Sequence, residues 1–78
     1  MHEHRDDQLG ELLPQNLILT AAEVAQALRV SVEAVRRWAD QWRDSGGHEG
    51  LPGFKVGKQW RFYREAVFDY VISQRQTD

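Results

Sequence analysis

Cysteine is absent from the 78 residues, which excludes disulfides and thiolate metal sites. That absence agrees with a reducing compartment. A chain of this length supports one small core, and with no covalent or metal staple the core must be held by packing alone. No run of about 18 apolar residues exists to cross a membrane. Residues 1–7 also lack the apolar stretch of a signal peptide, so a cytoplasmic location is expected. A basic excess is missing too: the formal net charge is −2 and the pI about 5.9. On the whole-chain sum, a polyanionic partner is disfavoured.

Charge is not spread evenly, however. Residues 1–16 carry Glu3, Asp6, Asp7 and Glu11 against Arg5, a net −3, whereas residues 17–78 sum to +1. Within the second part, Phe54 to Arg64 holds Lys55, Lys58, Arg61 and Arg64 and no acid. Such segregation permits local contact with phosphate even when the total is acidic. The bland alternative for this stretch is a solvated hairpin face. Residues 1–16 are polar and acidic, and their only apolar recurrence is Leu9, Leu12 and Leu13, so they are expected to form a mobile arm, with Pro14 and Asn16 marking its end. A short arm helix over residues 8–13, docking its leucines on the core, is the other reading. The folded domain is expected to span residues 17–75.

Thr20 followed by Glu23 is a capping box, which predicts a helix from Ala21 with Val24, Ala25 and Leu28 on one apolar stripe. Ser31 is a second N-cap, after which Val35, Trp38, Ala39 and Trp42 recur at helical spacing. The two helices are so close in sequence that the junction must be sharp, and Ala25 is small enough to let the backbones approach. Residues 44–50, rich in glycine and polar side chains, predict a loop. The period then changes to two. Phe54 and Val56 alternate with Lys55, and Trp60 and Phe62 with Gln59 and Arg61, which predicts two strands. Gly57-Lys58 between them suits a type II′ turn. One face of this hairpin is expected to be aromatic and the other cationic, with a last helix over residues 65–74 closing the aromatic face. The tryptophans and phenylalanines are first read as core. The fold class is thus mainly α with a small β-hairpin, three helices plus a two-stranded wing.

Certain residues also carry a resemblance. Leu19-Thr20-Ala21-Ala22-Glu23-Val24-Ala25, Leu28, Val30-Ser31 and Val35-Arg36-Arg37-Trp38, followed by Leu51-Pro52-Gly53-Phe54-Lys55-Val56-Gly57 and Trp60-Arg61-Phe62, resemble the excisionase-type winged helix-turn-helix family. That family is related to MerR-like DNA-binding domains. The likeness runs from about Leu17 to Ile72. Two features depart from the family pattern. Arg29 stands in the inter-helix turn where glycine is usual, at a cost of about 1 kcal/mol if that site has positive φ. The stretch from Ala39 to Gly50 is several residues longer than usual, so Trp42 is expected to extend the second helix by a turn.

The resemblance implies that the second helix enters the major groove, presenting Val32, Glu33, Arg36 and Arg37. Arg36 is assigned to a base edge, where a bidentate arginine–guanine pair is worth roughly 1–3 kcal/mol of discrimination. Arg37 is assigned to phosphate, and Glu33 to cytosine or to rejecting wrong placements. Ser31 would cap its helix and touch phosphate. Lys55, Lys58 and Arg61 would reach the backbone or minor groove from the wing, Lys58 at its tip foremost. Arg61 could instead pair with a carboxylate of the last helix. The arginines of the second helix have a simpler reading as well, a solvated face ion-paired to Glu33 or Asp40.

No catalytic residue, cofactor site or metal site is expected. Ser31 and Ser45 lack a histidine at recognisable spacing, and His2, His4 and His48 lack the partners of a closed site. The implied partner is double-stranded DNA, bound by a homodimer or a cooperative array on repeated sites. The expected role is a transcription regulator or an excisionase-like recombination accessory factor, with no membrane and no small-molecule substrate. The rival is a protein-interaction adaptor of antitoxin or terminase type, using the same fold without DNA readout and supported by the acidic total charge.

Overall fold

A computed structural model describes residues 12–75. The elements run β1 (Ile18–Thr20), α1 (Ala21–Leu28), α2 (Val32–Asp44), β2 (Phe54–Val56), β3 (Gln59–Tyr63) and α3 (Arg64–Arg75). This is the winged helix-turn-helix arrangement, three helices with a hairpin wing, and it has one strand more than the sequence suggests.

Local chemistry sets the helix ends. The Glu23 N–H donates to Thr20 Oγ1 at 3.0 Å and the Thr20 N–H donates to Glu23 Oε1 at 2.9 Å, so the capping box forms in full. At the other end of α1, Arg29 adopts φ 60° and ψ 45°. It is the one non-glycine residue with positive φ among those described. The Val30 N–H then reaches Ala25 O at 3.0 Å and the Arg29 N–H reaches Gln26 O at 3.3 Å, the bond pair of a Schellman motif. Ser31 opens α2, its Oγ accepting from the Ala34 N–H at 3.0 Å. α2 continues through Trp42 to Asp44, as the long link to the wing suggests.

The three strands form one antiparallel sheet in the order β1-β3-β2. Ile18, Leu19 and Thr20 pair with Tyr63, Phe62 and Arg61, which buries Leu19 beside Phe62. Across the wing, Val56 pairs with Gln59, Lys55 with Trp60 and Phe54 with Arg61. Gly57 has φ 66°, and Lys58 does not share its positive sign, in keeping with a type II′ turn.

That register corrects the expected division of the wing into an aromatic and a cationic face. A two-residue loop pairs position 56 with 59, and residues directly opposite each other point to the same side. Lys55 therefore shares the inner face with Trp60 and Phe62. Phe54 and Val56 share the outer face with Gln59, Arg61 and Tyr63. Phe54 is accordingly not a core residue: its ring packs on Tyr63, 5.1 Å between centroids, on that outer face.

The core lies between the sheet's inner face and the helices. Leu13, Leu19, Val24, Val35, Leu51, Phe62 and Val67 are its largest fully buried side chains. Each such residue contributes roughly 1.5–3 kcal/mol by leaving water. Ala25 and Ala39 are also buried, which lets α1 and α2 approach closely. Trp60 is buried; Trp38 and Trp42 are half-buried. Trp38 packs on Tyr70 of α3 with ring centroids 5.5 Å apart, and burial raises the Tyr70 hydroxyl pKa above its usual value of 10.0. No charged or polar residue is buried among those described.

Residues 1–11 of the expected arm, with Leu9, His2 and His4, lie outside the described residues. At the arm's described end, Leu13 sits in the core and Pro14 O accepts from Arg64 Nε at 2.9 Å. Packing thus begins by Leu13, ahead of the boundary drawn at residue 17.

Candidate nucleic-acid interface

α2 turns one side to the wing. Val32, Arg36 and Asp40 lie four residues apart, which at 3.6 residues per turn makes a single stripe. This stripe forms one wall of a cleft of about 500 Å³. Lys55, Lys58, Gln59, Trp60 and Arg61 of the wing form the other wall, and Thr20, Ala21 and Ala22 at the start of α1 join them. The cleft exists because β1 and β3 hold the wing against α1, while the Arg29 turn sets α2 across α1.

Arg36, Lys55 and Lys58 are exposed. None of them, nor Arg37, lies within ion-pair distance of a described carboxylate. The simpler reading of the α2 arginines as ion pairs to Glu33 or Asp40 is therefore not what forms. Asp40 Oδ1 is instead taken by Arg43 Nη2 at 3.1 Å. Lys55 Nζ lies 5.0 Å from the centre of the Trp60 ring, so part of its charge rests on the indole face. Arg61 Nη1 donates to Trp60 O at 2.9 Å and Gln59 Oε1 at 3.3 Å. It is braced on its own strand, and not paired with a carboxylate of α3.

The remaining candidates stand apart from the cleft. Glu33 and Arg37 are exposed, each about 100° around the helix from its neighbour in the cleft stripe. Ser31 is exposed at the N-cap, occupied with the Ala34 N–H. Val32 is half-buried and packs on the core while it lines the cleft. Asp40, Gln59 and Trp60 are cleft residues that the sequence reading does not nominate. Asp40 has a signal, its four-residue spacing from Arg36.

Fold and cleft together have a counterpart among known families: a profile described as a helix-turn-helix domain matches residues 18–75. The chain belongs to this helix-turn-helix family, of the excisionase- and MerR-like kind. Membership carries a DNA-binding regulatory role in general terms, and such domains are typically non-enzymatic. Searches of curated proteins and of solved structures returned no significant match. Among the described residues, no helix of this helix-turn-helix domain is long and apolar enough to cross a membrane, and no cluster of three or more His, Asp or Glu could hold a metal ion.

Proposed function

We propose that the protein binds double-stranded DNA sequence-specifically, as a small transcription regulator or an excisionase-like recombination accessory factor. α2 enters the major groove by its first two turns, with Arg36 on a base edge and Arg37 on a flanking phosphate. Glu33 faces the groove beside them, and Ser31 and Val32 form the entering end of the helix. Lys55, Lys58 and Arg61 meet the backbone or the adjacent minor groove. The observation that carries this reading is the shared cleft: Arg36, Lys55, Lys58 and Arg61 line it together, and none is neutralised by a described carboxylate. The whole-chain charge of −2 then matters less than the sign of this one face. Because one short reading head has limited affinity, the protein acts as a homodimer or as adjacent copies on repeated sites. Its working location is the cytoplasm, and it has no catalytic activity of its own.

A labelled duplex library titrated with protein at rising salt tests this. DNA readout predicts a linear fall of log affinity with log salt, and Lys58→Ala should make the slope shallower by about 1. Arg36→Ala should lose preference for the selected sequence more than general binding. An adaptor without DNA readout would show no saturable duplex binding even at low salt, and that result would end the proposal.

A further inference from the structure

The cleft contains one carboxylate, and its placement is at odds with the charge around it. Asp40 lines the same walls as Arg36, Lys55, Lys58 and Arg61. It lies four residues after Arg36, within ordinary side-chain reach on a helix. An Arg36–Asp40 pair would cancel the cation best placed to meet DNA, yet that pair does not form. Arg43 takes Asp40 instead, Nη2 to Oδ1 at 3.1 Å. Arg43 is itself tethered twice more: Nε is 3.5 Å from Asp44 Oδ1, and the guanidinium carbon is 5.6 Å from the Trp60 ring centre.

We propose that Arg43 is a positioning residue for the cleft: by holding the Asp40 carboxylate it keeps Arg36 unpaired and available to DNA. The direction of the competition follows from helix electrostatics. In the Asp40–Arg43 pair the acid precedes the base, the orientation favoured by the helix dipole, whereas an Arg36–Asp40 pair has the reverse order. Stacking on Trp60 ties Arg43 to the wing as well, so the indole links the wing's position to the state of the acid. Arg43 does not itself line the cleft; it touches two residues that do, Asp40 by the ion pair and Trp60 by its ring, and rescue by Asp40→Asn isolates the first route.

This inference rests on the DNA-binding reading, and the experiment separates the two. Duplex affinity is measured for the wild type, Arg43→Gln, Arg43→Gln/Asp40→Asn and Arg43→Gln/Asp44→Asn, with thermal melts confirming the fold of each. Arg43→Gln should weaken binding roughly fivefold, the size of one unit-charge interaction at contact distance in water. Adding Asp40→Asn should return affinity to within about twofold of wild type. Adding Asp44→Asn restores the same net charge but leaves Asp40 free, so binding should stay weak. Equal rescue by both second changes, no rescue by Asp40→Asn, or undiminished binding by Arg43→Gln would each overturn the proposal. If Arg43→Gln melts early, Arg43→Met, which keeps the aliphatic stem against Trp60, takes its place in the same comparisons with Asp40→Asn and Asp44→Asn, and the same outcomes support or overturn the proposal. A wild-type protein that binds no duplex defeats the DNA reading itself and takes this inference with it.

Discussion

After Leu28 the chain turns from α1 into α2 through Arg29, Val30 and Ser31, whereas after Asp44 it uses residues 45–53 to leave α2 and begin β2. The two exits close with the same bonds. Val30 and Arg29 donate to Ala25 O and Gln26 O at 3.0 and 3.3 Å; Gly47 and Gly46 donate to Trp42 O and Arg43 O at 2.9 and 3.2 Å. In each, the donor of the shorter-range bond is left-handed, Arg29 at φ 60° and Gly46 at φ 71°, and the long exit adds Gly47 and Gly50, both at φ 93°. They part in these added positive-φ residues and in the path the chain takes afterwards. The short exit leads directly to the Ser31 cap, and the long one folds back on its own helix. Hydrogen-bond geometry thus sets the turn, while the residue in the left-handed position sets only its cost. Nothing in the structure explains why that residue is arginine in the first exit.

The long exit should be the easier to break, because it relies on a backbone approach with no slack. A Cβ on Gly50 would lie 2.4 Å from Trp38 O and 2.6 Å from Trp42 N, at a residue with φ 93°. Gly50→Ala should therefore cost about 3 kcal/mol or more, through forced displacement and backbone strain together. At ~4–8 °C per kcal/mol for a domain of this size, a melting temperature lowered by less than about 5 °C would mean the loop adapts freely. Ser45 comes next. Its Oγ accepts from the His48 N–H at 3.1 Å and the Glu49 N–H at 2.9 Å, and lies 3.2 Å from Trp42 O and Glu49 O, to one of which it donates. Ser45→Ala should cost about 1–2 kcal/mol, since the site is half-buried and water replaces part of the network. Unchanged thermal stability would show that solvent satisfies these groups equally well.

The same contrast accounts for which features are legible in the sequence. The capping box at Thr20, the Ser31 cap and the Gly57-Lys58 hairpin all depend on residues within about four positions, and each is legible, whereas the strain at Arg29 is suggested only by the family resemblance, in which glycine is usual there. β1 is not, because Ile18–Thr20 becomes a strand only by pairing with Tyr63, Phe62 and Arg61, far along the chain. The ordering of residues 45–50 depends on return contacts to α2, such as the Leu51 N–H to Trp38 O at 3.0 Å, which composition does not encode. The faces of the wing are legible in principle, but alternation within each strand alone misassigns them: parity across a two-residue turn puts Phe54 opposite Arg61. For the candidate site, sequence names Arg36, Lys55, Lys58 and Arg61, and the cleft brings these together. Asp40 goes unnamed because it is an acid on a face read for its cations, although its four-residue spacing from Arg36 puts it on the same stripe.

The two exits allow the cost of the left-handed residue to be measured twice in one molecule, with opposite signs. Arg29 is exposed and makes no side-chain hydrogen bond or ion pair with a described residue, so Arg29→Gly should relieve the steric penalty and stabilise by about 0.5–1 kcal/mol. Gly46→Ala adds a Cβ that would meet nothing within 4 Å, so only the backbone conformation is penalised, and a loss of about 1 kcal/mol is expected. Melting temperatures should move in opposite directions by similar amounts. The double variant should fall near the wild type, because the sites share no partners. Should Arg29→Gly lower the melting temperature, the arginine side chain must contribute more than its strained backbone loses. The place to look would then be the groove that Arg29 lines with Leu12, Pro14, Glu23 and Gln26, where its aliphatic stem could cover apolar surface.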